Sequence, residues 1–507
     1  MVIRAKLAKG AIWIASARAL SNLISLATTV ALARVLAPSD FGLVAIATSV
    51  MIVLNAVTEL SLAASLVQHR SPTAEHYHTA WTLGLIRSAL VAAVGCALAW
   101  PMATLYREPR LTGVMLALGL GALLSGLANP RAQMLTKDLI FWQQFMLQVS
   151  QKVVSLGIAV SIGVLFHSYW ALIWGTLAGQ LAGAAISFAV LPYWPRFSLR
   201  QHRDILKFSI WMSLYQVANT VNWRFDQLLM GGMVGRSALG YFGVAETLAV
   251  IPTREATAPI TTILFPGFSR LAGEPQRLAG AYQSAQALVT AIALPAGIGM
   301  ALIANPLIRL TLGPKWLPSV FPVQVLASVF ALQTLGTLSQ PLAMAAGETK
   351  LIFYRSIQTL VVRIPLILAG ALLGGVSGII WARAAAGSIE ILFHLLVVRR
   401  VAGLSMTRQL QVNVRSLIST AAMAAVLMTL RLHMRSSPLG LAVEVAVRTL
   451  AGAATYVVTD LAAWRLSGRP DGPESEVINA VRAALRRLLG APDHPSQSTV
   501  SVTLDPS

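Results

Sequence analysis

IWIASARALSN, residues 12–22, aligns without a gap on IWMSLYQVANT, residues 210–220. The same offset carries PSDFGLVAIA (38–47) onto RSALGYFGVA (236–245), so Trp13 meets Trp211 and Gly42 meets Gly240. Farther on, NPRAQ with LIFW (139–142) recurs as QPLAM with LIFY (351–354), after about thirteen inserted residues. Each match alone is weak, because apolar helices resemble one another by composition. Their common order is the signal: a chain built from two copies of one helical unit.

The composition says where those helices sit. Of 507 residues, 56% are hydrophobic and 11% charged, with mean hydropathy +0.69, against about 25% charged in ordinary soluble domains. Apolar runs of about 20 residues recur from Gly10 to Trp464. The expected helices cover 10–36, 42–66, 79–103, 111–128, 145–166, 168–191, 205–231, 239–264, 284–304, 322–346, 351–373, 375–398, 412–432 and 441–464. The fold class is therefore an all-α polytopic membrane protein of about 14 transmembrane helices. Helices 1, 2, 4 and 5 recur as 7, 8, 10 and 11. Six spans separate the copies and six is even, so both copies point the same way. That describes an N-terminal six-helix lobe (1–200), a C-terminal six-helix lobe (201–400), two further helices (401–464) and a tail (465–507).

The net charge of +20 does not call for a nucleic acid. With the N-terminus in the cytoplasm, about 23 Lys and Arg fall in cytoplasmic segments and about seven outside. This bias sets both termini inside and turns the basic surplus toward an anionic leaflet of membrane lipids. Arg4, Lys6 and Lys9 precede a run too long for a signal peptide. In the tail, 476–490 reads as an amphipathic helix lying on the membrane surface. The single cysteine, Cys96, lies in an apolar run, so no disulfide framework and no cysteine metal site is expected.

Several stretches resemble a known family: ARVLAPSDFGLVAIA (33–47), NPRAQMLTKDLIF (129–141), DQLLMGGMVGRSALGYFGVAE (226–246), LGPKW (312–316) and AAGETKL (345–351). They look like the polysaccharide transporter family. This is the lipid-linked oligosaccharide flippase branch of the multidrug/oligosaccharidyl-lipid/polysaccharide exporter superfamily. The resemblance implies a chain that moves undecaprenyl-diphosphate-linked sugar repeat units across the bacterial inner membrane. It also implies polymerase and chain-length proteins of the same pathway as partners.

Charge inside a spanning helix costs about 2.5–3.5 kcal/mol, so buried charges mark a wet cavity or a pair. Arg34, Lys152 and Arg448 lie near span ends and are expected to snorkel to headgroups. Arg18, Arg87, Arg224, Arg254, Arg363 and Arg383 lie deeper and either line a lumen or form structural ion pairs. A cationic lumen suits a diphosphate, which Arg meets with paired planar donors. Polar stripes add Asn22, with Arg18, Ser25 and Thr29 on one face of helix 1. Helix 7 carries Tyr215, Asn219, Asn222 and Asp226 on one stripe, and Ser213, Thr220, Arg224 and Gln227 on another. Arg224 and Asp226 cannot pair face to face, being two residues apart. Asp226, Glu246, Glu255 and Glu59 are the acids available for ion coupling. Prolines 252, 259 and 266 are expected to break or bend helix 8.

Two rivals remain. A multidrug cation exporter would need an anionic lumen, whereas the excess here is basic. A polymerase or ligase would need a large outer loop with catalytic bases, which no outer segment is long enough to supply. The sequence holds no Walker loop, HExxH, CxxC or Ser-centred elbow, and HRSPTAEHYH (69–78) reads as an exposed polar loop. No enzyme activity, metal or cofactor is expected.

Overall fold

The computed structural model describes residues 2–58, 73–133, 135, 141–202, 210–430 and 437–468. The expected ion-coupling residue Glu59 and the tail helix 476–490 lie outside the described residues. Among those described, every regular element is helical, as a lipid-embedded chain requires when its backbone polar groups have no water to bond.

The long helices are α1 (Val2–Val35), α2 (Pro38–Val57), α3 (Ala74–Leu105), α4 (Arg110–Gly126), α5 (Phe141–Phe166) and α6 (Trp170–Val190). The second set is α7 (Ile210–Met233), α8 (Arg236–Arg270), α9 (Pro275–Thr311), α10 (Val320–Gln333) with the short α11 (Ser339–Ala345), and α12 (Thr349–Ala402). A short α13 (Met406–Gln411) leads to α14 (Val414–Thr429) and α15 (Pro438–Leu466). Prolines open α2, α9 and α15 in the first turn, where their missing N–H costs nothing. The turn expected between the eleventh and twelfth ranges sits at Gly374 and Gly375, whose non-helical backbone splits α12 into two legs. Of the break or bend expected in α8, the break does not occur: the helix is continuous from Arg236 to Arg270 past Pro252, Pro259 and Pro266.

Eight of the described helices are long and apolar enough to cross a membrane. α1, α7 and α8 have the length but carry more polar side chains; these three supply most of a polar cavity. Within each half, helices pack as neighbours, α3 on α4 and α5 on α6, α9 on α10 and α7 on α12. α14 and α15 pack on each other and on α9, with an apolar cavity of about 400 Å3 between the three. One hydrophobic core joins the halves, combining Leu43 and Ile46 of α2 with Met230 of α7, Phe242 of α8 and Phe330 of α10.

Candidate functional site

The halves meet most closely where α2 crosses α8. A Cβ on Gly42 would lie 1.9 Å from the Arg236 carbonyl oxygen, and one on Gly240 would lie 1.8 Å from that of Pro38. Under the sequence repeat, Pro38 corresponds to Arg236 and Gly42 to Gly240, so the two contacts are copies of one contact. A pseudo-twofold axis therefore passes through this seam, and glycine is required at both positions because backbone meets backbone.

Beside the seam, two helix ends cap each other. The last carbonyls of a helix have no partner within it, and here each set takes donors from the other half. Lys315 Nζ donates to the carbonyls of Arg34 (2.9 Å) and Leu36 (2.8 Å), and Trp316 Nε1 donates to that of Ala33 (2.8 Å). In return, Arg34 Nε donates to the Thr311 carbonyl (2.8 Å) and its Nη2 to that of Leu310. The cationic groups also offset the negative dipole ends of α1 and α9, which this packing brings together. Trp316 is fully buried and meets Phe41 and Tyr241 edge-on. Arg34 is thus an interlobe cap and does not snorkel: the acceptors on α9 outcompete headgroups because they are fixed within reach. The ion pair of Arg236 with Glu108 and the bond from the Tyr106 hydroxyl to the Leu228 carbonyl (2.9 Å) close the same end. Lys315→Met is expected to speed maleimide labelling of a cysteine placed at buried Ala33 several-fold, in a background where Cys96 is Ala. Unchanged labelling would show that the caps do not hold the seam.

Next to the seam a cavity of about 630 Å3 opens between the halves, within the ~300–1,000 Å3 usual for ligand sites. It extends along α8 from Glu246 to Thr257 and reaches His394 of α12. At 1.5 Å per residue, Gly240 and Thr257 stand about 25 Å apart along the helix, so the space leads away from the closed end. The N-terminal half gives Asn22, Ser25, Leu26 and Thr29 of α1; the rest of the wall is C-terminal. On α7 the lining stripe is Tyr215, Asn219, Trp223 and Gln227, with Arg224 beside it.

Across the cavity's seam end runs a short hydrogen-bonded chain. Ser49 Oγ of α2 donates to Gln227 Oε1 (2.7 Å), which also accepts from Arg224 Nη1 (3.0 Å), while Gln227 Nε2 donates to Glu246 Oε2 (2.6 Å). This bond between Ser49 and Gln227 ties the halves together beside the space a ligand would enter. The other Glu246 oxygen is buried without a protein partner. Toward the far end, Gln333 Nε2 donates to Glu390 Oε2 (2.7 Å), and His394 lies 3.7 Å from the same carboxylate.

Asp226 faces the other way from Arg224. It is fully buried, accepts from both Nε (3.2 Å) and Nη2 of Arg363, and lies 3.1 Å from Arg383 Nε, at an angle that makes the latter an ion pair without a hydrogen bond. Arg363 and Arg383 come from the two legs of α12, so one carboxylate of α7 joins both legs. Arg383 also lies over the rings of Trp223 and Phe330, 5.3 and 5.6 Å from their centres, a placement favourable for a desolvated cation.

Of the expected binding residues, the structure brings Asn22, Arg224 and Arg254 to the cavity. Asn222 turns toward α12 and donates to the Ser356 carbonyl (3.1 Å) in a small adjoining space. Arg363 and Arg383 do not line the lumen, because Asp226 holds them inside the helix packing. Arg87 bonds the Asn55 carbonyl (2.9 Å) between α3 and α2, and Arg18 lies outside the cavity lining. Among the acids, Glu246 lines the cavity and Glu255 pairs with exposed Arg254 (3.2 Å). The lumen is consequently mixed in charge, with Glu246 and Glu390 facing Arg224 and Arg254, and not the basic chamber expected. His76 and His78 are not in an exposed loop: they fall in the first turns of α3, where His76 bonds Thr73 and His78 Nδ1 lies 2.7 Å from the Tyr193 hydroxyl. Burial pushes the pKa of Tyr193 up to about 12, with Glu75 adding to the rise and Arg131 opposing it. Tyr193 is therefore neutral at physiological pH. Trp223 and the Lys315–Trp316 clasp were missed by the sequence reading.

The described residues thus form a two-lobed helical bundle with a polar space between the lobes and a closed seam at one end. Residues 31–321 match the family described as polysaccharide biosynthesis protein, and the chain belongs to that family. It is 23% identical to the lipopolysaccharide biosynthesis protein WzxC of Escherichia coli (strain K12), covering 75% of this chain and 78% of that protein. It is 24% identical to the succinoglycan biosynthesis transport protein ExoT of Rhizobium meliloti (strain 1021), covering 84% and 87%. In fold it is similar to the lipid II flippase MurJ in an inward closed conformation, with TM-score 0.71 at 15% identity over 90% of this chain and 99% of that one. An inward-facing multidrug resistance MATE family transporter of the MOP superfamily superposes with TM-score 0.59 at 14% identity, covering 76% and 96%.

Proposed function

We propose that this chain is a flippase that carries undecaprenyl-diphosphate-linked oligosaccharide repeat units across the bacterial inner membrane, for exopolysaccharide, capsule or O-antigen synthesis. The observation that carries the reading is the polar cavity between the lobes, shut at the seam of Gly42 and Gly240, in a chain of the polysaccharide biosynthesis family. The sugar occupies the wet cavity while its lipid stays in the bilayer. Arg224 and Arg254 supply donors for phosphate oxygens, and Asn22 meets the ligand from the opposite lobe. Transport is a rocking of lobes 1–200 and 201–400 that opens the seam and closes the other end. No bond is made or broken, so the chain is not an enzyme.

The apolar runs support fourteen crossings, and the positive-inside bias supports an orientation with both termini and the open end of the cavity in the cytoplasm. The acids in the lumen remove the charge argument against a multidrug cation exporter; family membership is what favours the sugar carrier. In cells lacking this chain, lipid-linked repeat units are expected to accumulate on the cytoplasmic face with loss of surface polymer. Accumulation of unpolymerised units on the outer face would instead identify a polymerase or ligase. Unchanged polymer with new sensitivity to cationic dyes would identify a drug exporter.

A further inference from the structure

The α7 wall of the cavity alternates flat rings and amides: Tyr215, Asn219, Trp223 and Gln227, each one helical turn from the next. We propose that this stripe is the track on which the saccharide is held, with Trp223 as the ring against which a pyranose stacks. The inference rests on the flippase reading and deepens it. It assigns glycan recognition to one face of one helix in the C-terminal lobe.

Three observations carry it. First, Trp223 is 36% exposed and is one of the residues that line the cavity. An indole left open to water inside a polar space is costly unless something apolar covers it, and the C–H face of a sugar ring does so while its hydroxyls stay free to bond. Second, the ring is fixed before any ligand arrives. Phe330 packs against it with centres 5.7 Å apart, and Arg383, itself held by Asp226, lies 5.3 Å from its centre. A pre-oriented platform loses little freedom on binding. Third, the hydroxyl-bonding groups stand at the right places. Asn219 and Gln227 flank Trp223 by one turn on either side, and the buried Glu246 oxygen without a protein partner is on the carboxylate that Gln227 bonds. Carboxylates and amides arranged around an aromatic face bind polyols, whereas a phosphate would be repelled from Glu246 and is better met at Arg224 or Arg254.

The spacing gives the track a length. Asn219 and Gln227 are about 12 Å apart along the helix, with Tyr215 largely buried beyond them, so the stripe around Trp223 is longer than one sugar ring. A carrier bearing a multi-residue glycan uses the whole stripe; a carrier bearing one sugar does not.

The test uses the full-length protein in proteoliposomes with two probes: undecaprenyl diphosphate bearing the complete repeat unit from the same cells, and the same lipid bearing only its first sugar. Trp223→Leu keeps bulk without the ring's electronic face, and Trp223→Phe keeps a ring. Translocation of the complete unit is expected to fall about 10-fold in Trp223→Leu, the size of one lost stacking contact, while Trp223→Phe stays within about 3-fold of wild type. The single-sugar lipid is expected to respond less to Trp223→Leu than the complete unit does. Equal rates for the Leu and Phe variants would overturn the stacking role, because packing against Phe330 and Arg383 is all they would then have in common. Failure of the wild-type protein to move either lipid would instead overturn the flippase reading itself.

Discussion

Asp226→Asn is expected to remove most of the folded protein from the membrane. The carboxylate is fully buried between Arg363 and Arg383, each itself nearly inaccessible. Without its charge, two guanidiniums remain in the helix packing with too few acceptors. Breaking a buried pair in this way costs about 3–5 kcal/mol, a large part of the roughly 5–15 kcal/mol that holds a protein folded. The triple replacement Asp226→Leu, Arg363→Leu and Arg383→Leu removes all three charges and is expected to restore accumulation, since an apolar set of similar size is often as stable. Protein abundance and detergent-resistant monomer on size-exclusion chromatography measure both. If Asp226→Asn accumulates normally and alters only the ion dependence of transport, the carboxylate is an ion-responsive element and the pairing is incidental.

Gly240→Val is expected to reduce transport more than 10-fold while the protein remains present. Its first side-chain atom would fall 1.8 Å from the Pro38 carbonyl oxygen, far inside contact distance, and the neighbour is backbone that cannot rotate away. The helices must separate, and the caps supplied by Lys315, Trp316 and Arg34 are pulled from their carbonyls at the same time. Each half also has packing of its own away from this crossing, α3 on α4 and α5 on α6 in one, α9 on α10 and α7 on α12 in the other, so loss of the closed seam need not unfold either half. Gly42→Val is expected to do the same, because the pseudo-twofold axis makes its approach to Arg236 a copy of that of Gly240 to Pro38 at the same helix crossing. The double variant is expected to be scarcely worse than either single one, since sites that share a helix crossing are not additive. Full export by both single variants would show that closure at this seam is not part of the cycle.

The helices and the repeat were legible because both depend on local pattern. About 20 apolar residues make a span wherever they occur, and Gly42 and Gly240 aligned without a gap because the seam they form is symmetric. The divergence of Arg224 and Asp226 was also readable, since 3.6 residues per turn separates any two residues spaced by two. What stayed hidden was decided by partners distant in the chain. Nothing near Trp316 discloses that its indole bonds Ala33, 283 residues away, and LGPKW therefore read only as a family likeness. Arg363 and Arg383 looked like lumen bases because a buried arginine has the same sequence appearance whether it faces water or a carboxylate of another helix. Trp223 was overlooked for the converse reason: in an apolar span, a tryptophan toward a cavity is indistinguishable from one toward lipid.

The central claim is that this chain alone moves a lipid-linked oligosaccharide across a bilayer, and reconstitution measures that directly. Purified full-length protein would be placed in liposomes holding the fluorescently labelled repeat-unit lipid, and the label on the outer leaflet destroyed by a membrane-impermeant quencher. The account predicts that nearly all of the label becomes accessible with wild-type protein, while Gly240→Val liposomes keep the fraction seen without protein. A wild-type protein that leaves the inner-leaflet lipid protected, under conditions where it is folded and inserted, would contradict it.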